Sequence, residues 1–311
     1  MLSVIIPAFN EENMVQEAAN RISVLLKEAN IPYEILFIND GSTDRTWEQI
    51  CTLSSDKENI RGICFSRNFG KESAIFAGLE HAVGECVVVI DCDLQHPPQK
   101  IIEMYRLWQQ GYEVIEGVKA DRGQESMLYS LAARCFYKIL SKATQIDMER
   151  ASDFKLLDRK AVNVLLNMRE RNAFFRALSS WIGFRTTSVE FEVGEREQGT
   201  TKWTTWSLMK YAISNITSFS AAPMQIVTIL GAFMLIVALV LGAIALTQKI
   251  KGIALGGFTT VIIIQLFIGS IVMISLGIIG YYIAQIYDEL KGRPRYIVSG
   301  QCGESKEISD R

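Results

Sequence analysis

The sequence has few of the side chains that soft metals and disulfides require. Its 311 residues include two histidines, and its six cysteines show no CxxC spacing. A zinc centre usually takes closely spaced cysteine and histidine ligands, so this composition argues against one. The formal net charge of −2 gives no reason to expect a nucleic-acid partner. Four cysteines fall in apolar patterns and are expected to be reduced core residues, namely Cys51, Cys64, Cys86 and Cys135.

Charged side chains are absent from two long segments near the carboxyl end. No Asp, Glu, Lys or Arg occurs in residues 211–248 or in residues 252–287. A helix of about 20 apolar residues crosses a bilayer core, so we expect two membrane spans. The expected order is a cytosolic domain (1–205), an interfacial helix or linker (206–222), a first span (223–248), an extracytoplasmic loop (249–257), a second span (258–287) and a cytosolic tail (288–311).

The flanking charges indicate the orientation of these spans. The amino terminus, MLSVIIPAFN, is short and lacks a basic start, so we expect no signal peptide there and a first domain that stays in the cytosol. Lys291, Arg293 and Arg295 follow the second span and favour a cytosolic tail, whereas Lys249 and Lys251 in the loop weaken that argument. We therefore expect a multi-pass protein of the cell membrane with both ends in the cytosol.

Four apolar runs in the first domain have the composition of buried strands. Segments with helical spacing separate them. Buried strands that alternate with helices predict an α/β domain with a mainly parallel sheet. Ligands of such sheets bind beyond the carboxyl ends of the strands, where Asn10, Asp40, Arg67 and Asp91 stand. The four runs are LSVIIPAF (2–9), YEILFIND (33–40), IRGICFSR (60–67) and ECVVVID (85–91).

Two carboxylates follow the fourth strand in the sequence VVVIDCDLQHPP (87–98). A turn directly after the strand would bring Asp91 and Asp93 around one cation, with Cys92 facing away. Oxygen ligands without a histidine or thiol cluster favour Mg²⁺ or Mn²⁺, and Mg²⁺ is usually bound by one or two carboxylates together with substrate phosphates. The pair therefore predicts a metal-bound diphosphate. The alternative is a pair of solvated acids at a strand end.

Further polar groups stand at the ends of the second and third strands. Asp40, before the turn residue Gly41, is expected to accept hydrogen bonds from a nucleotide. The alternative for such an acid is a helix cap, which is the role we expect for Asp44. Arg67 and Lys71 flank the start of a helix, whose N-terminus attracts anions, so both are expected to face phosphates. For Lys71 the alternative is a surface charge beside a loop.

With these residues identified, the chain resembles the family 2 glycosyltransferases of the GT-A fold. It resembles more closely their polyprenyl-phosphate branch, which includes dolichol-phosphate mannose synthases and bacterial bactoprenol glucosyltransferases. The two spans before GRPRY (292–296) resemble the two-span bacterial members. The resemblance implies a Rossmann-like, mainly parallel GT-A sheet followed by two transmembrane helices. It rests on six segments in the same order, VIIPAFNEE (4–12), FINDGSTD (37–44), SRNFGKESAIFAGL (66–79), DCDLQHPP (91–98), ASDFKLLDR (151–159) and REQGTTKW (196–203).

The resemblance also implies roles for individual residues. Asp91 and Asp93 would hold a divalent metal at the donor diphosphate, and Asp153 would lie close to the reacting sugar. Arg196 and Lys202 would belong to a loop that closes over the donor and acceptor phosphates. The residues expected at the reacting groups are Asp91, Asp93, Gln95, Asp153, Arg196 and Lys202. Those expected to bind the nucleotide or the phosphates are Pro7, Ala8, Asn10, Glu12, Asp40, Arg67, Lys71, Arg122 and Arg134.

The implied reaction is a metal-dependent, inverting transfer of a sugar from a nucleotide-diphosphate donor to undecaprenyl phosphate or another polyprenyl phosphate. UDP-glucose is the expected donor, and UDP-N-acetylglucosamine and a formamido-arabinose donor are alternatives. Asp153 would position a sugar hydroxyl or an arginine, because a phosphate nucleophile is already anionic near neutral pH. A non-catalytic membrane scaffold or flippase subunit is the alternative outside the enzymes. The oligomeric state, including a homo-oligomer, stays open.

Two segments carry apolar residues suited to a membrane interface. MLYSLAARCFYKILSK (127–142) has one apolar helical stripe with Arg134 off it. KWTTWSLMKYAISNITSFSAAP (202–223) contains Trp203 and Trp206, which suit the headgroup region. We expect both segments to form interfacial amphipathic helices that contact membrane lipids. For the first segment, an ordinary helix on the core of the domain is the alternative.

Overall fold

The computed structural model describes residues 1–119, 152–168, 174–192, 222–251 and 258–303. The chain forms two compact units. One unit comprises Met1–Trp203 together with Pro294–Arg311, and the other is Thr204–Arg293. The first unit contains an eight-stranded sheet, and the second contains two long apolar helices.

The sheet of the first unit is parallel where the four apolar runs form it and mixed towards its ends. Its strands are β1 (Leu2–Ala8), β2 (Tyr33–Asn39), β3 (Ile60–Phe65), β4 (Cys86–Val89), β5 (Val114–Lys119), β6 (Lys155–Asp158), β7 (Thr186–Phe191) and β8 (Val298–Cys302). Their order is β7-β5-β6-β4-β1-β2-β3-β8. β1 runs parallel to β2 and β4, and β2 runs parallel to β3. In contrast, β6 pairs antiparallel with β4 and with β5. This arrangement confirms the α/β sheet predicted from the sequence.

Helices cover both faces of this sheet. Those within the described residues are α1 (Val15–Glu28), α2 (Thr46–Asp56), α3 (Lys71–His81), α4 (Lys100–Gln109), α5 (Arg159–Asn167) and α6 (Phe175–Trp181). Successive residues of a strand point to opposite faces. Accordingly, Val4 of β1 belongs to the same buried cluster as Ile22 of α1, whereas Ile5 packs where α3 has Gly78. A strand with two covered faces must be apolar throughout, which explains the four apolar runs.

The last strand of the sheet, β8, comes from the other end of the chain and pairs antiparallel with β3. Tyr296, two residues before this strand, stacks its ring on Phe65, with centroids 4.8 Å apart. Its hydroxyl donates to Glu80 at 2.6 Å. From the sequence, residues 288–311 are expected to form a cytosolic tail, and nothing in them predicts a strand. The segment VSGQC has little of the apolar alternation that indicates a strand, and its pairing with β3 is what forms one.

The second unit contains α7 (Ala222–Ile250) and α8 (Phe258–Leu290). Both are long and apolar enough to cross a membrane, by length and composition. The segment Val227–Ile244 has a mean hydropathy of 2.8, and Phe267–Leu290 has a mean hydropathy of 2.0. These two helices fit the two transmembrane helices expected from the sequence.

Candidate active site

A cleft of about 370 Å³ opens at the carboxyl end of β1. β1 lies between β2 and β4. The chain adds β2 and β3 on one side of β1 and then β4 on the other side, so the strand order reverses at β1. This is the position at which doubly wound sheets bind ligands. Six of the residues expected from the sequence line the cleft, namely Pro7, Ala8, Asp40, Lys71, Asp91 and Asp93. Phe9, Glu11, Asn68, Gly70, Ala74 and Cys92 also line it.

Lys71, the first residue of α3, connects two carboxylates. Its Nζ lies 2.6 Å from Oδ1 of Asp91 and 2.9 Å from Oδ2 of Asp153. Arg176 of α6 donates to the same Asp153 through two nitrogens, from Nε to Oδ1 and from Nη2 to Oδ2, each at 2.8 Å. Two cations and two carboxylates therefore form one continuous network.

Asp153 and Lys71 stabilise each other's charged form. Asp153 is only 6% exposed. Its burial would raise the pKa of its carboxyl, but Lys71 and Arg176 hold that pKa well below its usual range. The half-buried position of Lys71 would by itself lower the pKa of its ammonium, but the charges of Asp91 and Asp153 outweigh this effect and raise it. At neutral pH Asp153 is therefore an anion and Lys71 a cation.

The turn after β4 directs both acids of the DCD sequence to the cleft. Asp91 and Asp93 line it, as the sequence predicts. Leu94 adopts a positive φ of 55°, and the N–H of Gln95 donates to Oδ1 of Asp93 at 3.1 Å, so the turn is tight. Cys92, between the acids, is 3% exposed and belongs to the hydrophobic core.

The donor groups of the cleft fit a hard divalent cation. In the part of the chain that the structure describes, no cluster of three or more His, Cys, Asp or Glu side chains forms a closed metal centre. An open site with two carboxylates is the kind that Mg²⁺ shares with substrate phosphates. The buried Nδ1 of His96 lies 3.8 Å from Oδ2 of Asp91 and has no hydrogen-bond partner among the described residues. Asp91 and Asp93 are therefore suited to bind a divalent metal, and Asp91 would contact both the metal and Lys71.

Asp40 uses its carboxylate to hold the loop between β3 and α3. Its Oδ1 accepts the N–H of Phe69 at 2.6 Å, and its Oδ2 accepts the N–H of Gly70 at 2.9 Å. Burial raises the pKa of Asp40, although these two N–H groups counter the rise. In the same loop, the guanidinium of Arg67 lies 4.4 Å from the ring centroid of Phe69. Asp40 thus fixes the loop that contains Arg67 and leads to Lys71.

Asn10 and Glu12, on the loop after β1, fasten the loop after β2. Oδ1 of Asn10 accepts the N–H of Thr43 at 2.9 Å, and Oε2 of Glu12 accepts the N–H of Arg45 at 3.0 Å. Asp44 accepts the first N–H of α2 at 3.0 Å, which is the helix-cap role predicted for it. The cleft wall at the ends of β1 and β2 is therefore held by backbone-directed hydrogen bonds.

A family model described as Glycosyl transferase family 2 matches residues 3–166, which is more than half of the 311-residue chain. The chain belongs to this family. The transferase is 37% identical over 304 residues to an uncharacterized glycosyltransferase of Synechocystis sp. strain PCC 6803, and the match covers 97% of this chain and 96% of that protein. Both the fold and the enzyme class predicted from the sequence are confirmed.

Two further relatives carry a more specific name. The transferase is 37% identical over 299 residues to a prophage bactoprenol glucosyl transferase homolog of Escherichia coli K12, with 96% of this chain and 98% of that protein covered. It is 35% identical over 299 residues to a bactoprenol glucosyl transferase of Shigella phage SfII, with 96% and 97% covered. Among solved structures, a glucosyl-3-phosphoglycerate synthase of Mycobacterium tuberculosis, crystallised with Mn²⁺, UDP-glucose and phosphoglyceric acid, matches with a TM-score of 0.47 at 19% identity, over 70% of this chain and 77% of that one.

Three residues near the cleft of the transferase were not singled out from the sequence. Arg176 stands in the segment NAFFRALSSW, and nothing in its spacing points to a carboxylate 23 residues earlier. Glu72 accepts the N–H of Phe175 at 2.9 Å and follows Lys71 directly. His96 belongs to the DCDLQHPP segment, so it was the one detectable from the sequence; its ring stacks on Phe154 with centroids 5.1 Å apart.

Some of the predicted residues of the transferase lie outside the described residues. They are Arg122, Arg134, Arg196 and Lys202, together with the segment 127–142 and residues 202–221 of the second interfacial segment. Their expected roles at the phosphates and at the membrane surface stay predictions.

Proposed function

We propose that the transferase moves glucose from UDP-glucose to undecaprenyl phosphate, or to another polyprenyl phosphate, at the cytosolic face of the cell membrane. The observation that carries this proposal is the pair Asp91 and Asp93, which lies in one cleft with Lys71 at the carboxyl end of the sheet. The relatives named bactoprenol glucosyl transferase support a lipid phosphate as the acceptor and glucose as the sugar.

In the proposed reaction, the bond between the anomeric carbon of glucose and the diphosphate of UDP breaks, and a phosphate oxygen of the lipid forms a new bond to that carbon with inversion. A phosphate monoester is largely dianionic at neutral pH, because its second pKa is about 6. The nucleophile therefore needs no strong base. Asp153 fits this chemistry, since its lowered pKa makes it a weak base and its contacts with Lys71 and Arg176 fix its position. We propose that it orients a hydroxyl of the sugar.

The leaving UDP gains negative charge, which cations beside it stabilise. Lys71 is suited to this task, because its Nζ lies in the cleft 2.6 Å from Asp91 and its backbone begins α3, whose N–H groups favour anions. Asp91 and Asp93 would hold Mg²⁺ or Mn²⁺, which when bound supplies Lewis-acid stabilisation of the diphosphate. Arg196 and Lys202 are proposed to complete the phosphate site.

The connectivity of the chain supports a membrane hairpin. α7 and α8 follow the catalytic strands, yet the next segment returns to the same sheet as β8. A chain that leaves one unit and returns to it crosses a bilayer an even number of times, so two spans satisfy this condition. We propose that α7 and α8 are those spans and that the catalytic unit and both chain ends lie in the cytosol, where nucleotide sugars are made.

The reaction can be tested with the purified protein in detergent. It would be given undecaprenyl phosphate, Mg²⁺ or Mn²⁺, and separate samples of UDP-glucose, UDP-N-acetylglucosamine and UDP-linked formamido-arabinose, and lipid products would be identified by mass spectrometry. We expect one glucosyl-phosphate lipid from UDP-glucose. Formation of the product from another donor alone would replace the sugar assignment, and absence of product from every donor would contradict the proposed reaction.

The metal site can be tested with Asp91→Asn. We expect this variant to fold but to lose at least about 100-fold of the turnover rate, as after removal of a principal charge-stabilising group, and to bind Mn²⁺ more weakly in electron paramagnetic resonance titrations. Asp56→Asn is the matched control, because Asp56 is exposed at the end of α2. Wild-type turnover by Asp91→Asn, or full turnover in excess EDTA, would contradict the metal assignment.

A further inference from the structure

We infer that Arg176 is a positioning residue that keeps Asp153 paired, so that Lys71 can leave this carboxylate for the phosphates of the donor. The inference rests on the proposed function, because it assigns Lys71 a diphosphate to bind. It concerns how the network in the cleft changes partners when a nucleotide arrives.

Arg176 makes two hydrogen bonds to Asp153, whereas Lys71 makes one. Nε and Nη2 of the guanidinium donate to the two carboxylate oxygens, each at 2.8 Å. Such a bidentate pair fixes both distance and orientation, which a single lysine contact does not. Asp153 is 6% exposed, so solvent cannot replace a lost partner.

Lys71 is held less firmly at the same carboxylate. It makes one contact to Asp153 and one to Asp91, and its side chain is 41% exposed, against 35% for Arg176. It also lines the cleft. An ammonium on a flexible stem can turn to a new anion, whereas a guanidinium locked in a fork cannot do so without breaking two bonds.

Two contacts from other elements fix Arg176 in its place. Lys155 of β6 is fully buried, and its Nζ donates to the carbonyl oxygen of Arg176 at 3.2 Å and to Oγ of Ser179 at 2.8 Å. At the other end of this turn, the carboxylate of Glu72 accepts the N–H of Phe175 at 2.9 Å. The backbone on both sides of Arg176 is thus attached to the sheet and to α3.

These contacts lead to a mechanism for exchange. If Asp153 had only Lys71 as a partner, movement of Lys71 to the donor would leave a buried carboxylate unpaired, which is strongly unfavourable. With Arg176 in place, Asp153 stays neutralised while Lys71 moves. Without Arg176, Lys71 should stay at Asp153 to neutralise this carboxylate, and the protein should therefore bind the nucleotide more weakly.

The decisive experiment compares UDP binding, in the presence of Mg²⁺, by isothermal titration calorimetry of four full-length proteins in detergent. They are the wild type, Arg176→Gln, Asp153→Asn and the double variant. We expect Arg176→Gln to bind UDP roughly 10-fold more weakly, which is within the usual range of coupling between sites. Asp153→Asn releases Lys71, so we expect the double variant to recover the affinity of Asp153→Asn. Arg176→Lys should lie between wild type and Arg176→Gln.

Recovery in the double variant separates the inference from a merely structural role. A structural defect of Arg176→Gln would persist or worsen when Asp153 is also changed, and that result would overturn the inference. Unchanged UDP affinity in Arg176→Gln would overturn it as well. Arg185→Gln is the matched control, because Arg185 is exposed and lies over the ring of Tyr112. Lipid-product formation by the wild type tests the proposed function separately, because UDP binding is measured without the lipid acceptor and without turnover.

Discussion

Gly41 is expected to be the glycine whose replacement does most harm to the nucleotide side of the cleft. It follows Asp40 and adopts a φ of +66°. A Cβ at this position would lie 2.3 Å from the carbonyl carbon of Arg67 and 2.7 Å from the backbone nitrogen of Asn68. These are backbone atoms of the loop that Asp40 holds, so they cannot turn away as a side chain can. Gly41→Ala must displace the loop.

The expected loss of stability has two parts. A left-handed conformation costs a residue with a Cβ about 1–2 kcal/mol, and forcing extra atoms into a packed site costs about 1–3 kcal/mol. We therefore expect Gly41→Ala to lower the free energy of unfolding by about 2–5 kcal/mol. At roughly 2–4 °C per kcal/mol for a unit of this size, the melting temperature should fall by about 4–20 °C.

The matched control is Gly183→Ala. Gly183 has a similar φ of +70°, but the nearest atom to its Cβ position is 3.9 Å away, so only the conformational cost of about 1–2 kcal/mol applies. Both variants would be melted in detergent and titrated with UDP. We expect only Gly41→Ala to bind UDP more weakly, because only it moves the loop beside Lys71. Equal melting temperatures and equal UDP affinities in the two variants would refute this reasoning.

Two further predictions concern a buried lysine, Lys155, and a half-buried thiol, Cys51. In the native protein the ammonium of Lys155 lies 2.6 Å from Glu116, so Lys155→Met leaves this carboxylate without its cation. We expect the free energy of unfolding, measured with denaturant, to fall by about 3–5 kcal/mol. Lys160 is exposed, so Lys160→Met should be near neutral, and an equal loss in both variants would contradict the prediction. Burial, aided by a hydrogen bond with Cys302, raises the pKa of Cys51 to about 12. At pH 8 its thiolate fraction should be on the order of a thousandfold below that of an ordinary thiol. Iodoacetamide should therefore alkylate Cys51 far more slowly in the folded than in the unfolded protein, and similar rates would contradict the assigned pKa.

The four parallel strands β1 to β4 could be predicted because each is formed by a short apolar run that is visible in the sequence itself. The segment CVVV of β4 is buried at all four positions, and a short sequence window shows an uninterrupted apolar run. β6, with the segment KLLD, begins with a lysine that is fully buried. Only contacts with Glu116 and with α6 make that burial tolerable. No window around residue 155 contains those partners, so β6 and its antiparallel pairing with β4 could not be predicted in the same way.

The same distinction separates the predicted from the unpredicted residues of the site. Asp40, Asp91 and Asp93 each follow the end of an apolar run, and the geometry of parallel sheets brings such ends together. Arg176 reaches the site from a helix of seven residues, whereas its partner Asp153 lies just before β6. The pairing depends on how two elements pack. Sequence alone therefore locates the cleft but not the cation that holds its buried carboxylate.

The position of β8 has a consequence for the synthesis of the protein. Ribosomes make the catalytic strands first, α7 and α8 next, and the strand that pairs with β3 last. Until residues 298–302 emerge, the outer edge of β3 has no partner there, and an open edge is a site of unwanted pairing with other chains. Completion of the sheet thus has to wait until both apolar helices have been translated, so the catalytic unit matures only after α7 and α8 have left the ribosome.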